Sequence, residues 1–173
     1  MVISSYSNPS GRGQTTQAIL MLIVLTVFGA FNLNILGQSI TLSLLPLVGI
    51  CLWPRYAHPV ISIVIIFLSG LLLDFLTNEN LGFRTLVYLT VFSVFRPDAR
   101  TKEYIFGTAL IRWIGVVLLA SIVIYFLSRI GRGVKPDIVS MTRQVLIVTA
   151  LFPIIYFIRH IFKYFLIDSE DRY

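Results

Sequence analysis

The sequence predicts an all-α integral membrane protein, a bundle of six transmembrane helices, and three observations carry that expectation. Hydrophobic residues make up 57% of the 173-residue chain and charged residues only 13%, about half the charged share of an ordinary soluble domain. The mean hydropathy is +0.87. The apolar residues fall in long blocks separated by short polar turns, and a soluble fold of this size has too little polar surface to cover them. The formal net charge is +6. The basic residues sit at the ends of the apolar blocks, as topology signals and headgroup contacts do, so the charge points to a membrane surface and not to nucleic acid.

The blocks follow in order. Residues 1–17 are polar, with Pro9, Gly11 and Gly13, and read as a disordered tail. They lack the basic start and short apolar stretch of a removable signal peptide. The first block, 18–36, is long enough to span, and Gly37-Gln38-Ser39 is a turn signal. The second, 40–53, is 14 residues with Pro46 inside it, a length at which a re-entrant segment competes with a span. Trp53-Pro54-Arg55-Tyr56 reads as an interface. Blocks three and four, 58–76 and 83–95, flank the polar turn Thr77-Asn78-Glu79-Asn80-Leu81-Gly82. Block five, 105–128, lies between two cationic loops. The last, 138–167, would extend about 45 Å as a helix, a full bilayer with its headgroups. Residues 168–173 form a short tail.

Lys and Arg counts orient the bundle. With six spans, Arg12, Arg55, Arg96, Arg100, Lys102, Arg159, Lys163 and Arg172 share one side, eight cations against the three of Arg129, Arg132 and Lys135. With block two re-entrant, five spans give seven against four. The six-span count is the better one and places both termini in the cytoplasm. Either count keeps the 96–104 loop and the C-terminus cytoplasmic and leaves the loop at Arg129, Arg132 and Lys135 outside, against the positive-inside trend. Acidic partner residues or anionic headgroups are candidate contacts for it.

Few residues offer chemistry. Asp74 is the one acidic residue inside an apolar block, and an ionisable group there is a functional hypothesis by default. Arg84 follows the intervening turn at similar depth. The leading expectation is a structural ion pair, Asp74 with Arg84, that fixes the hairpin; partner or ligand binding and proton coupling are the alternatives. Gly70, one turn before Asp74, admits a close helix, and Gly82 can supply positive φ in the turn. Both mark helix packing or a partner face. Arg112 beside Trp113 reads as an interface anchor. Cys51 is the only cysteine, so no intrachain disulfide is expected. His58 and His160 lack neighbours at ligand spacing, and no nucleophile, metalloprotease or phosphate-loop motif occurs. The expectation is a protein without catalytic residues, metal or cofactor.

The stretch Gly70 to Leu86, GLLLDFLTNENLGFRTL, resembles the signature region of MreD, the rod shape-determining membrane protein family. Gly70, Asp74, Leu81, Gly82 and Arg84 match that family's Gly, Asp, polar turn and Leu-Gly-x-Arg. Leu151-Phe152-Pro153, Arg159 and the basic tail resemble its last helix, and the order of segments agrees along the chain. The N-terminal tail and the basic loop Arg129 to Asp137, RIGRGVKPD, depart from it. The resemblance implies a non-catalytic scaffold of the side-wall peptidoglycan elongation complex in the bacterial inner membrane. It implies direct binding to MreC and, through the complex, association with RodA, its penicillin-binding transpeptidase and MreB. It also implies a fold similar to the six-helix substrate-binding subunits of energy-coupling-factor vitamin transporters. A transport subunit on that fold is the alternative, but the Ala-x-x-x-Ala docking pattern of such subunits is absent from the first block: Ala18 precedes Leu22 and Ala30 precedes Asn34.

Overall fold

The computed structural model describes residues 9–35, 38–54, 57–96, 106–132 and 137–170. Among these residues the chain forms six helices and one hairpin: α1 (Pro9–Gly29), β1 (Asn32–Ile35), β2 (Gln38–Thr41), α2 (Pro46–Cys51), α3 (Pro59–Leu76), α4 (Phe83–Val94), α5 (Phe106–Arg132) and α6 (Ile138–Glu170). Three stretches are long and apolar enough to cross a membrane: Pro59–Leu76, Phe106–Ile130 and Ile138–Arg159. Gly13–Gly29 and Phe83–Val94 are shorter apolar helices.

The N-terminal third departs most from expectation. α1 starts at Pro9, inside the tail expected to be disordered; residues 1–8 lie outside the described residues. Proline suits a first helical position, where its missing N–H has no partner to lose. α1 buries Leu22, Leu25, Thr26 and Gly29, the spacing of one helical stripe. The Thr26 hydroxyl donates to the Leu22 carbonyl at 2.7 Å, which satisfies it in an apolar setting. The helix ends at Gly29 instead of running to Leu36. Asn32-Leu33-Asn34-Ile35 alternates polar and apolar residues, a period of two that suits a strand. It pairs antiparallel with Gln38–Thr41, Asn32 opposite Thr41 and Ile35 opposite Gln38.

The second block is not a lipid-facing helix. α2 has six residues, about 9 Å of rise against a hydrocarbon core of about 30 Å. Yet every residue from 42 to 54 is buried. Near one end of this segment the Ser43 carbonyl accepts a hydrogen bond from the Tyr88 hydroxyl at 2.9 Å. Near the other, the Trp53 indole N–H donates to the Ser62 hydroxyl, one turn into α3, at 2.8 Å. The segment therefore runs lengthwise through the interior, sheathed by helices. Gly49 sits against Leu22 of α1, and Gly29 of α1 sits against Pro46. Non-helical backbone at membrane depth is tolerable only where protein covers it, and this stretch meets that condition.

α3 to α6 lie close to the expected blocks. α3 buries Ser62, Ile66, Ser69, Gly70, Leu73 and Asp74 and exposes Val60, Ile61, Val64, Phe67 and Leu68 on the opposite face. α4 buries Arg84, Thr85, Val87, Tyr88, Val91 and Phe92. The two helices meet most closely at Gly70, where an added Cβ would lie 2.6 Å from the Thr85 Cα. Gly70 is thus spent on helix packing inside the chain's own hairpin, the first of the two readings its position offered. α5 contributes Ala109, Trp113, Val116, Val117 and Ala120 to the core, and α6 contributes Val148 and Phe152. The Trp113 and Phe152 rings stack at 5.2 Å. α5 extends to Arg132 and α6 to Glu170, beyond the expected block ends at 128 and 167.

Gly70→Ala should lower the unfolding midpoint of the full chain in detergent, with an overpacking cost on the order of 1–3 kcal/mol. Gly107→Ala, where nothing lies within 4 Å of a new Cβ, should leave it unchanged or slightly raised. Thermal unfolding followed by circular dichroism measures both; equal midpoints would show that the two helix backbones do not touch at Gly70.

Candidate functional site

The turn between α3 and α4 is tightly specified. α3 ends as the Thr77 hydroxyl donates back to the Leu73 carbonyl at 2.8 Å. Asn78 takes a φ of 54° and Gly82 a φ of 92°, both left-handed, and only glycine adopts such values at no steric cost. The expected positive φ at Gly82 is therefore observed. Gly82 has no side chain with which to cap α4. That function comes from the preceding helix: an Asp74 carboxylate oxygen accepts the Gly82 N–H at 2.8 Å, and the carboxylate accepts the Arg84 N–H at 3.0 and 3.2 Å.

This arrangement resolves the electrostatic difficulty of Asp74. A carboxylate at the end of α3 faces the negative end of that helix. Here it lies at 0% exposure against the first N–H groups of α4, the positive end of the next helix. The expected side-chain ion pair with Arg84 is not what forms. Asp74 meets Arg84 through the backbone N–H, and the Arg84 guanidinium turns instead to Glu79, with Nη2 donating to Oε1 at 2.8 Å.

Arg84 is the unusual group. It is 7% exposed, and its Nε and Nη1 donate to no protein acceptor. It lines a cleft of about 180 Å³ at the end of the helical body. Ser43, Glu79, Ser128, Asp137, Ser140 and Gln144 give the cleft its polar lining, and Phe83 and Ile124 give apolar wall. Four separate parts of the chain converge there: the start of the buried 42–54 segment, the α3–α4 turn, the end of α5 and the start of α6. At that start, Asp137 Oδ1 accepts the Val139 N–H at 3.1 Å.

The other residues singled out in the sequence lie apart from this cleft. Arg112 donates from Nη2 to the Phe95 carbonyl just past α4 and so serves a helix end, while Trp113 is buried in the core against Phe152 and is not an interface residue. Arg129 belongs to the last turn of α5, is exposed, and donates to the Tyr125 hydroxyl at 3.0 Å. A cation in a last turn suits the negative helix end, a local reason for the basic residue at position 129. The Arg132 side chain and Lys135 lie outside the described residues, as do Arg55, Arg100 and Lys102. Among the described residues no cluster of His, Cys, Asp and Glu could hold a metal ion. Reading the sequence missed Glu79 and Asp137. Glu79 was accessible, since it shares the short turn with Arg84; Asp137 meets the cleft only through folding. Comparison with family models, characterised proteins and solved structures yields no match.

A double-mutant cycle on unfolding should give a larger coupling energy for Glu79→Gln with Arg84→Gln than for Asp74→Asn with Arg84→Gln. Asp74→Ala should cost more than Asp74→Asn, because each buried N–H left without an acceptor costs about 1–3 kcal/mol. The reverse order of couplings would restore the Asp74–Arg84 ion pair.

Proposed function

We propose that this chain is a non-catalytic membrane scaffold of the bacterial cell-wall elongation complex, an MreD-like protein that binds MreC within the bilayer. The observation that carries the reading is what the signature residues do. Gly70 admits Thr85, Asp74 caps α4, Gly82 turns the chain and Arg84 braces Glu79. The resemblance thus rests on residues spent holding one end of a helical body in fixed shape, as a docking protein requires. The three long apolar helices support a membrane location. The proposal extends that to a multi-pass inner-membrane protein with the 96–104 loop and both termini in the cytoplasm. The lengthwise course of residues 42–54 supports the even number of passes this needs. A fold like the energy-coupling-factor binding subunits belongs to the same proposal.

A vitamin-transport subunit is the alternative reading, and the absence of the Ala-x-x-x-Ala docking pattern from the first block counts against it.

The partner surface must lie away from Gly70. The outward faces of α3, α5 and α6 and the exposed Arg129 are the candidates, with RodA, the transpeptidase and MreB reached through MreC. Depletion should turn rods into spheres, and the tagged protein should co-purify MreC from solubilised membranes. Arg129→Glu should reduce that capture while membrane insertion persists. Normal cell shape together with a vitamin-uptake defect and co-purification of an ATPase module would establish the transporter reading instead.

A further inference from the structure

The unpartnered donors of Arg84 have a use that a purely structural arginine lacks. A guanidinium presents five N–H bonds in a rigid plane. Glu79 accepts from Nη2; Nε and Nη1 lie buried with no protein acceptor, in a residue that lines the cleft. Leaving donors of a charged group unmatched away from water is costly. The chain nonetheless holds them in place, with Asp74 fixing the Arg84 backbone from one side.

The lining specifies what can match them. Glu79 already balances the Arg84 charge, and Asp137 adds a second carboxylate. A bare anion would meet Arg84 but repel Asp137. A ligand that joins acceptor oxygens to hydroxyl donors suits both. Donors on two guanidinium nitrogens favour an oxyanion with several oxygens, as on phosphate. Ser43, Ser128 and Ser140 add hydroxyls that donate or accept. The volume is about 180 Å³, room for a phosphate with a short polyol. The position fits as well. The cleft is built just beyond Leu76, where the apolar stretch of α3 stops, the level at which headgroups lie for a helix that spans.

We propose that this cleft binds a polyol phosphate of the phosphoglycerol type, the Arg84 guanidinium turning its unmatched Nε and Nη1 donors to the phosphate and the hydroxyls lying toward Asp137. Glu79 is the internal competitor: its carboxylate occupies the guanidinium position that a ligand oxygen can also take. The inference stands independently of the MreC reading. The same chemistry can come from a phosphatidylglycerol headgroup or from free glycerol phosphate.

The test uses the full chain in a neutral detergent, with thermal unfolding read against glycerol 3-phosphate, inorganic phosphate and chloride at matched ionic strength. The unfolding midpoint should climb with glycerol 3-phosphate concentration and climb less with inorganic phosphate. Glu79→Gln should lower the apparent Kd about tenfold, the scale of one charge-assisted contact. Asp137→Asn, which keeps the start of α6 capped, should erase the preference for glycerol 3-phosphate over phosphate. Arg84→Lys should abolish the shift. Should that variant not fold, the Glu79 and Asp137 variants still decide the matter. Native mass spectrometry from phosphatidylglycerol-containing nanodiscs separates the sources. Retained lipid that glycerol 3-phosphate displaces identifies the headgroup, and a midpoint shift without retained lipid identifies the free compound. No shift in the wild type or in Glu79→Gln together with no retained lipid, or a shift that survives Arg84→Lys in full, would overturn the proposal.

Discussion

A carboxylate placed out of reach of water must be met by donors or by charge, and the arrangement around Asp74 follows from that requirement. Two backbone N–H groups of the next helix meet it. They are available because Gly82 turns the chain through a left-handed conformation and delivers the start of α4 to the carboxylate. They come close enough because Gly70, one turn earlier, leaves room for the Thr85 backbone. One electrostatic demand thus ties together the turn, the helix contact and the starting point of α4. It also leaves the Arg84 side chain unclaimed by Asp74, and that chain becomes the polar feature of the cleft.

A second demand shapes the centre of the molecule. Residues 42–54 contain only one short helix, so much of their backbone lacks the regular ladder that hides polar groups in lipid. Their partners are found inside the protein. Turn hydrogen bonds link Leu45 to Leu42 and Trp53 to Ile50, and the Tyr88 and Trp53 side chains tie the segment to α4 and α3. The helices around it expose their apolar faces outward and close off the interior.

The parts of this architecture that hydropathy made legible are those governed by local composition. The segments 58–76 and 83–95 stand almost unchanged as α3 and α4, because Pro59 and the polar turn punctuate them. The region 18–53 did not read correctly, since its apolar content is continuous while its periodicity changes. Asn32, Asn34 and Ser39 carry the strand alternation, a weaker signal than a long apolar run. At the site, Asp74 and Arg84 were recognisable as a pair by depth. Which atoms pair was not, because the choice between a side chain and an N–H depends on the φ angles of Asn78 and Gly82. The convergence of Ser43, Ser128 and Asp137 on Arg84 arises only from packing distant segments together.

The sheathing of residues 42–54 has a consequence for the order in which the protein is made. The helix before this segment covers one side of it, but α4 and α5, which also enclose it, follow later in the chain. A nascent chain that has emerged only as far as Trp53 holds an irregular apolar stretch with most of its walls missing. The α3–α4 hairpin, in contrast, completes its own cap and close contact from adjacent sequence. The hairpin's contacts are thus local in sequence, whereas the walls of residues 42–54 are complete only once α5 has been made. Until then, its own chain cannot give that segment a full cover.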